Sequence, residues 1–161
     1  MATEIDLQGK TAIVTGGTRG IGRSVVIALG AAVANVVINA RESSTEQGEE
    51  LVERIKPFGG EGLWVSGDIG KPETAADVVK KTMDRFGRID ILVNNAGINA
   101  DGLLLRMKDE DWDRVMEVNL NGSMRVTRAA LRHMIRQEEG TSIIFLSSVA
   151  ELTLDKLIPL L

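Results

Sequence analysis

Residues 11–22 read Thr11-Ala-Ile-Val-Thr-Gly-Gly-Thr-Arg-Gly-Ile-Gly22, and this stretch decides the fold. It opens as a short run of apolar and β-branched residues, the pattern of a buried strand. It passes through a turn containing Gly16, Gly20 and Gly22, then continues from residue 21 to 32 with apolar residues at helical spacing. A strand feeding a glycine-rich turn and then a helix is the opening of a βαβ unit. Glycine lets backbone N–H groups approach a phosphate with no Cβ in the way, and the start of the next helix favours negative charge. The spacing is Gly-x-x-x-Gly-x-Gly rather than the more familiar Gly-x-Gly-x-x-Gly. Placement between strand and helix therefore carries the reading of a nucleotide site, against the plainer reading of a tight α/β turn.

Outward from this stretch, apolar runs alternate with helical patterns. Strands are expected at 35–39, 62–66, 89–93 and 142–146. Helices are expected at 46–58, stopped by Gly59-Gly60, and at 72–86, with Pro72 in its first turn and Gly87 just past its end. One long helical pattern covers 109–137. Asn121-Gly122 resembles a hairpin turn but falls inside that pattern, so no hairpin is expected there. The strands are continuously apolar, as in a parallel sheet covered on both faces. The expectation is an α/β, Rossmann-like, doubly wound parallel sheet in three layers, with five strands in the order 3-2-1-4-5. Residues 1–150 are expected to form the nucleotide-binding domain and 151–161 an atypical apolar tail.

Composition narrows the function classes. Of 161 residues, 19 are Lys or Arg and 23 are Asp or Glu, a net charge of −4 with no basic stripe, which argues against a nucleic-acid surface. Cysteine is absent, which excludes disulfides, thiolate chemistry and cysteine-held metals; no metal site is expected. No apolar run approaches the ~20 residues of a membrane-spanning helix, and the N-terminus lacks the pattern of a secretory signal, so a cytoplasmic protein is expected. His133, the single histidine, reads as a surface or packing residue on the long helix, and Trp112 and Met116 as core and interface.

The end of the second strand points to the nucleotide. An acid there would hold a ribose 2′-hydroxyl, but the sequence is Asn39-Ala40-Arg41-Glu42, with Ala40 in the acid's place. Arg41 and, from the glycine turn, Arg19 can clamp a 2′-phosphate, which indicates NADP(H). The alternative is that both are solvated surface arginines.

With these stretches in view, the chain resembles the short-chain dehydrogenase/reductases, and among them most of all the 3-oxoacyl-acyl-carrier-protein reductases of fatty-acid synthesis. The matching stretches are Thr15 to Gly22, Gly67-Asp68-Ile69, Ile89-Asp-Ile-Leu-Val-Asn-Asn-Ala-Gly-Ile98, Leu103 to Trp112, Val118-Asn-Leu120 and Ile143-Ile-Phe-Leu-Ser-Ser-Val149, about residues 7–150 in all. The resemblance implies NADPH-dependent reduction of the keto group of 3-oxoacyl thioesters. It places Thr18 and Ile21 at the cofactor with the turn glycines. It implies that Asp68 binds the adenine amino group beside the Ile69 backbone. Asn94 would stabilise the central strand and line the cofactor site, with Asn95, Ala96 and Gly97 forming its floor. Asn119 would be the active-site asparagine holding a water, and Ser148 the serine that hydrogen-bonds the substrate carbonyl. On the residues alone, Asp68 reads equally as a cap, Asn119 as a helix asparagine bonding a carbonyl, and Ser147-Ser148 as a strand end. The family is usually a homotetramer, and the helix at 109–137 would pack on a partner subunit.

Two departures stand out. The family's proton donor is a tyrosine in a Tyr-x-x-x-Lys pair, whose lysine lowers the tyrosine pKa. The family's spacing from Ser148 lands on Leu161, and this sequence contains no tyrosine. The resemblance therefore implies a sheet incomplete on its C-terminal side, with an exposed fifth strand, impaired activity and dependence on a partner, or else a non-catalytic NADP(H)-binding subunit or a remnant of the enzyme. Val33 stands where the family has a left-handed glycine after the first helix. Because a β-branched residue is costly at positive φ, a different local turn using Gly30 is expected.

Overall fold

The computed structural model describes residues 5–100, 102, 104–137 and 139–148. Five strands, β1 (Thr11–Thr15), β2 (Asn35–Ala40), β3 (Gly62–Ser66), β4 (Ile91–Asn94) and β5 (Ser142–Phe145), form one sheet in the order β3-β2-β1-β4-β5. Every pairing is parallel, with Thr11 beside Asn35, Ala12 beside Ile91 and Ile91 beside Ser142. Helices α1 (Gly20–Ala31), α2 (Thr45–Ile55), α3 (Pro72–Phe86), α4 (Asp109–Met116) and α5 (Ser123–Met134) connect and cover it. Successive β1 residues enter opposite cores. Ile13 joins Val78, Leu92, Val126 and Met134 under α3 and α5, and Val14 joins Val26, Ile38, Leu51 and Ile55 under α1 and α2. Two cores on two faces of one sheet make the expected three layers, and they are why β1 has no polar alternation to read.

The end of the sheet remote from the carboxyl termini of the strands is pinned by charge. Asp90, almost fully buried, accepts from the Thr11 N–H at 2.8 Å and from two Arg88 nitrogens at 2.7 and 2.8 Å. Glu139 joins through Lys10 and Arg88. A buried carboxylate is tolerable only when paired in this way.

Helix boundaries follow local chemistry. Pro72 opens α3, and Gly87 ends it at φ 71°. The helical pattern at 46–58 divides into α2 and a short 3₁₀ turn, Lys56–Phe58, ended by Gly59 at φ 100°. The pattern at 109–137 is α4 and α5 joined by a π-helical turn, Glu117–Gly122, so Asn121-Gly122 makes no hairpin. The fourth strand begins at Ile91 rather than 89; the Ile89 N–H is taken by the Gln137 side chain at 2.9 Å, while the Asp90 backbone still bonds to Thr11 and Ser142 on either side.

The turn after α1 departs from expectation. Val33 itself takes φ 68°, the one non-glycine residue at positive φ among those described. Its N–H donates to the Gly30 carbonyl at 2.9 Å, and the Ala34 N–H donates to the Leu29 carbonyl at 3.1 Å. This is the Schellman pair of bonds that a glycine normally closes. Gly30 does not substitute for it: Gly30 lies inside α1, where an added Cβ would sit 2.6 Å from the Ile55 side chain. The two hydrogen bonds and the packing of α1 on α2 hold the valine in a conformation it disfavours.

Candidate nucleotide-binding site

The carboxyl ends of β1, β2 and β4 open onto a cleft of about 270 Å³. It lies where the chain's connections reverse direction across the sheet, the usual ligand position in doubly wound folds. Gly16, Thr18, Arg19, Gly20, Ile21, Arg41, Asp68, Ile69, Asn95, Ala96 and Gly97 all line it. These residues come from four separate loops, and the fold brings them together as the sequence implied.

The glycine turn is built to bring backbone close. Gly16 has φ 64°, and a Cβ there would lie 2.9 Å from the Ala96 Cα. Across the turn the Asn95 amide donates to the Thr15 and Gly16 carbonyls at 2.9 and 3.0 Å. The Thr15 hydroxyl accepts from the Asn95 and Ala96 N–H groups, both at 3.1 Å. The β1 and β4 loops are thus locked together. Gly20 has φ 53°, with open space where a side chain would stand. Arg19 occupies the cap position of α1 and makes no side-chain cap hydrogen bond. The first-turn N–H groups of α1 therefore meet no capping side chain.

Gly22 packs behind the turn. It does not line the cleft; a Cβ there would lie 2.3 Å from the Gly16 carbonyl oxygen and 2.4 Å from the Asn95 amide nitrogen. It is the contact that lets α1 lie against the turn. Asn94 departs from expectation: it is buried, its amide donates to the Thr127 hydroxyl at 3.0 Å, and it does not line the cleft. Asn95, the first residue past β4, faces the turn instead.

The opposite wall is the loop at 68–70. Asp68 Oδ1 accepts from the Gly70 N–H at 2.9 Å, and Oδ2 pairs with Arg114 of α4. Burial alone would raise the Asp68 carboxyl, but the Gly70 N–H, the Arg114 guanidinium and, farther off, Arg41 outweigh it and hold the group below the ordinary carboxylate value. With both side chains partly exposed, this ion pair adds at most ~1 kcal/mol to stability. Arg125 donates to the Gly70 carbonyl at 3.0 Å and pairs with Glu117.

Asn119 sits in the π-helical turn. Its amide accepts from the Ile98 N–H at 2.9 Å and donates to the Ile98 carbonyl at 3.0 Å. The side chain thus splices the turn to the loop forming the cleft floor, and the Ser123 hydroxyl donates to its carbonyl at 3.0 Å. Ser148 follows β5 at the same end of the sheet. The tail at 151–161, with Lys156 and Leu161, lies outside the described residues. Trp112, read with Met116 as core and interface, is 53% exposed, whereas Met116 is half-buried.

Sequence reasoning missed Asn39, Ser44, Arg114 and Val118, which also line the cleft. Asn39 is buried and donates to the Val65 and Gly67 carbonyls at 3.0 and 3.2 Å. A polar residue closing an apolar strand was its available signal. Arg114 had none, since its partner lies 46 residues away.

The family model for short chain dehydrogenases matches residues 10–156. The chain belongs to that family. It is 43% identical over 144 residues to a 3-oxoacyl-[acyl-carrier-protein] reductase of Synechocystis, covering 89% of this chain and 58% of that protein. It is 39% identical over 140 residues to the reductase of the same description from Staphylococcus epidermidis, covering 87% and 57%. The chain thus spans a little over half the length of the curated relatives it matches. A short chain dehydrogenase from Burkholderia cenocepacia, crystallised in complex with NADP, superposes with a TM-score of 0.80 at 36% identity, covering 86% of this chain and 55% of that one. A short-chain type dehydrogenase/reductase from Mycobacterium marinum gives 0.85 at 32% identity, covering 92% and 60%. Among the described residues, no helix is long and apolar enough to cross a membrane, and no His, Asp and Glu cluster is placed to hold a metal.

Proposed function

We propose that this chain binds NADP(H) in the cleft between β1, β2 and β4 and is the cofactor-holding part of a reductase acting on 3-oxoacyl thioesters. The observation that carries the reading is the uncapped start of α1 behind the Gly16–Gly20 turn, with Arg19 and Arg41 lining the same cleft and no acid at Ala40. Backbone N–H groups and the helix dipole suit a pyrophosphate. The two guanidiniums suit a 2′-phosphate, which an acid at position 40 would repel. Asp68, held ionised, accepts from the base amino group. Asn95, Ala96 and Gly97 form the floor, which the pair of hydrogen bonds between Asn119 and Ile98 keeps in place. Bound NADPH supplies a hydride to the substrate carbonyl. Ser148 is the residue assigned to that carbonyl oxygen. The thioester substrate is taken from the likeness to the Synechocystis and Staphylococcus reductases.

A second reading has its own observation. Reducing a ketone needs a proton as well as a hydride, and these 161 residues contain no tyrosine to deliver it. On that reading the chain binds NADP(H) without turning it over. The homotetramer that the family resemblance implies, and dependence on a partner, belong to the same proposal; Trp112, Leu120 and Met124, exposed on one helical stretch, are what a second copy would cover.

Thermal melts with NADPH and with NADH test the binding. At a hundredfold excess over Kd, a ligand adds ~2.7 kcal/mol to stability, so a clear upward shift is expected with NADPH and a smaller one with NADH. No shift with either nucleotide would sink the proposal. NADPH consumption with acetoacetyl thioester then separates the two readings: turnover supports the reductase, and its absence in a chain that binds NADPH supports the non-catalytic subunit.

A further inference from the structure

We propose that Arg114, on a helix outside the nucleotide motifs, is a positioning residue that fixes the Asp68 carboxylate and thereby sets this chain's preference for a base carrying an amino group. The inference rests on the nucleotide reading above. Its ground is how thoroughly the helical stretch from α4 through α5 grips the loop at 68–70. Arg114 holds Asp68 Oδ2, while the Gly70 N–H holds Oδ1 at 2.9 Å. Gly70 has no side chain at the point where one would collide: a Cβ there would lie 2.8 Å from Arg114 Nη1, 3.1 Å from the Val118 side chain and 3.2 Å from Asp68 Oδ1. Two turns farther along, a Cβ on Gly122 would lie 2.9 Å from the Ile69 carbonyl oxygen, and Arg125 donates to the Gly70 carbonyl at 3.0 Å. Arg125 is itself steadied by Glu117, which accepts from the Asn121 amide at 2.6 Å.

This arrangement has a consequence for recognition. An ionised carboxylate offers about four acceptor positions, and the two bonds seen here leave others open to the cleft. A carboxylate free to rotate satisfies itself with water in many orientations. One held from both sides presents the same oxygen each time, and an amino group is the donor that matches it. A base with a carbonyl at that position would set acceptor against acceptor and leave a polar group unpaired. Both partners of the ion pair are partly exposed, so the pair matters more for where it holds Asp68 than for the fold.

The test uses the full 161-residue chain and two probes, NADPH and its hypoxanthine counterpart, in which the adenine amino group is replaced by oxygen. The wild type is expected to favour NADPH by about tenfold or more, the range of a hydrogen bond to a charged group. Arg114→Met is expected to reduce that ratio to within about threefold, and Arg114→Lys to restore part of it. Gly70→Ala is the second variant, because its methyl displaces the guanidinium while leaving the charge in the chain; the same fall in ratio is expected. A structural role alone would weaken both probes together and leave the ratio unchanged. Retention of the wild-type ratio in Arg114→Met, or in Gly70→Ala should the first fail to melt cooperatively, overturns the inference. A wild type that binds NADPH with no preference over the hypoxanthine form also overturns it while leaving the cofactor reading intact. A wild type that binds neither fails both.

Discussion

β1 and β5 belong to the same parallel sheet and are built from the same kinds of residue, yet they meet opposite surroundings. Every residue of β1 is buried, between α1 and α2 on one side and α3 and α5 on the other. In β5, Ile144 is 45% exposed and Phe145 59% exposed among the described residues. An apolar run with no alternation therefore states that a strand is suited to burial on both faces, not that both faces are covered. At the carboxyl end of β1 the chain passes so close to the β4 loop that a Cβ on Gly16 would lie 2.9 Å from the Ala96 Cα, and that is where the cleft forms. The β5 side is an apolar edge of the kind that pairs readily with another chain.

Filling the closest approach on the β1 side should break the contrast most severely. At Gly22 a Cβ would meet backbone oxygen at 2.3 Å, and neither the turn nor Asn95 can give way without moving the cleft. Gly22→Ala is expected to cost about 3 kcal/mol and to abolish the NADPH-dependent rise in melting temperature. A variant that keeps the full rise would show that α1 does not set the turn.

The sheet itself supplies the next test, because Val93 of β4 and Ile144 of β5 are partners in register. Val93 is 2% exposed and Ile144 is 45% exposed. Val93→Ala should cost about 2 kcal/mol in chemical denaturation, as removal of buried carbon atoms does. Ile144→Ala removes more carbon but should cost under about 0.5 kcal/mol, the level of a surface change. Equal costs would mean that the β5 edge is covered in solution, by a second copy or by another part of the protein, and the dependence of the melt on protein concentration would separate these.

How far the sequence could be read follows from the same contrast. The strands, the helix at 72–86 and the glycine turn were legible because each rests on local signals: apolar runs, Pro72 and Gly87, Gly16 and Gly20; the strand order followed from the connection rules of doubly wound sheets. That Gly22 and Asn94 pack on the scaffold and stand outside the cleft lining was not legible, because the letters of a motif do not say which residue faces the ligand and which faces the scaffold. Arg114 was invisible because an ion pair spanning 46 residues has no local signature. The π-helical turn was hidden for another reason: it preserves helical spacing on both sides while shifting Asn119 onto the backbone of Ile98.

Nucleotide choice gives a smaller effect, confined to one ligand. Arg41→Ala should weaken NADPH by about tenfold and leave NADH within about twofold, since a single exposed guanidinium on a phosphate is worth little more than 1.4 kcal/mol. Isothermal titration against both nucleotides reads this directly. Equal weakening of the two would place Arg41 elsewhere than at the 2′-phosphate.

The smallest expected effect is a gain, and it tests whether the cleft side of the molecule carries strain. Val33 closes the Schellman turn after α1 at φ 68°, a conformation that costs a β-branched residue about 1–2 kcal/mol relative to glycine. Val33→Gly relieves that cost, but it forgoes a partly buried side chain lying 3.4 Å from the Cβ position of Gly59 and gives the unfolded chain more freedom. The balance should be a stabilisation of about 1 kcal/mol, a rise of roughly 2–4 °C in Tm for a chain of this size. Nucleotide affinity should not change, because the turn lies at the end of α1 remote from its uncapped start. A fall in Tm would mean that the valine's packing outweighs its backbone strain, so that the β-branched side chain is itself what holds α1 at the entry to β2.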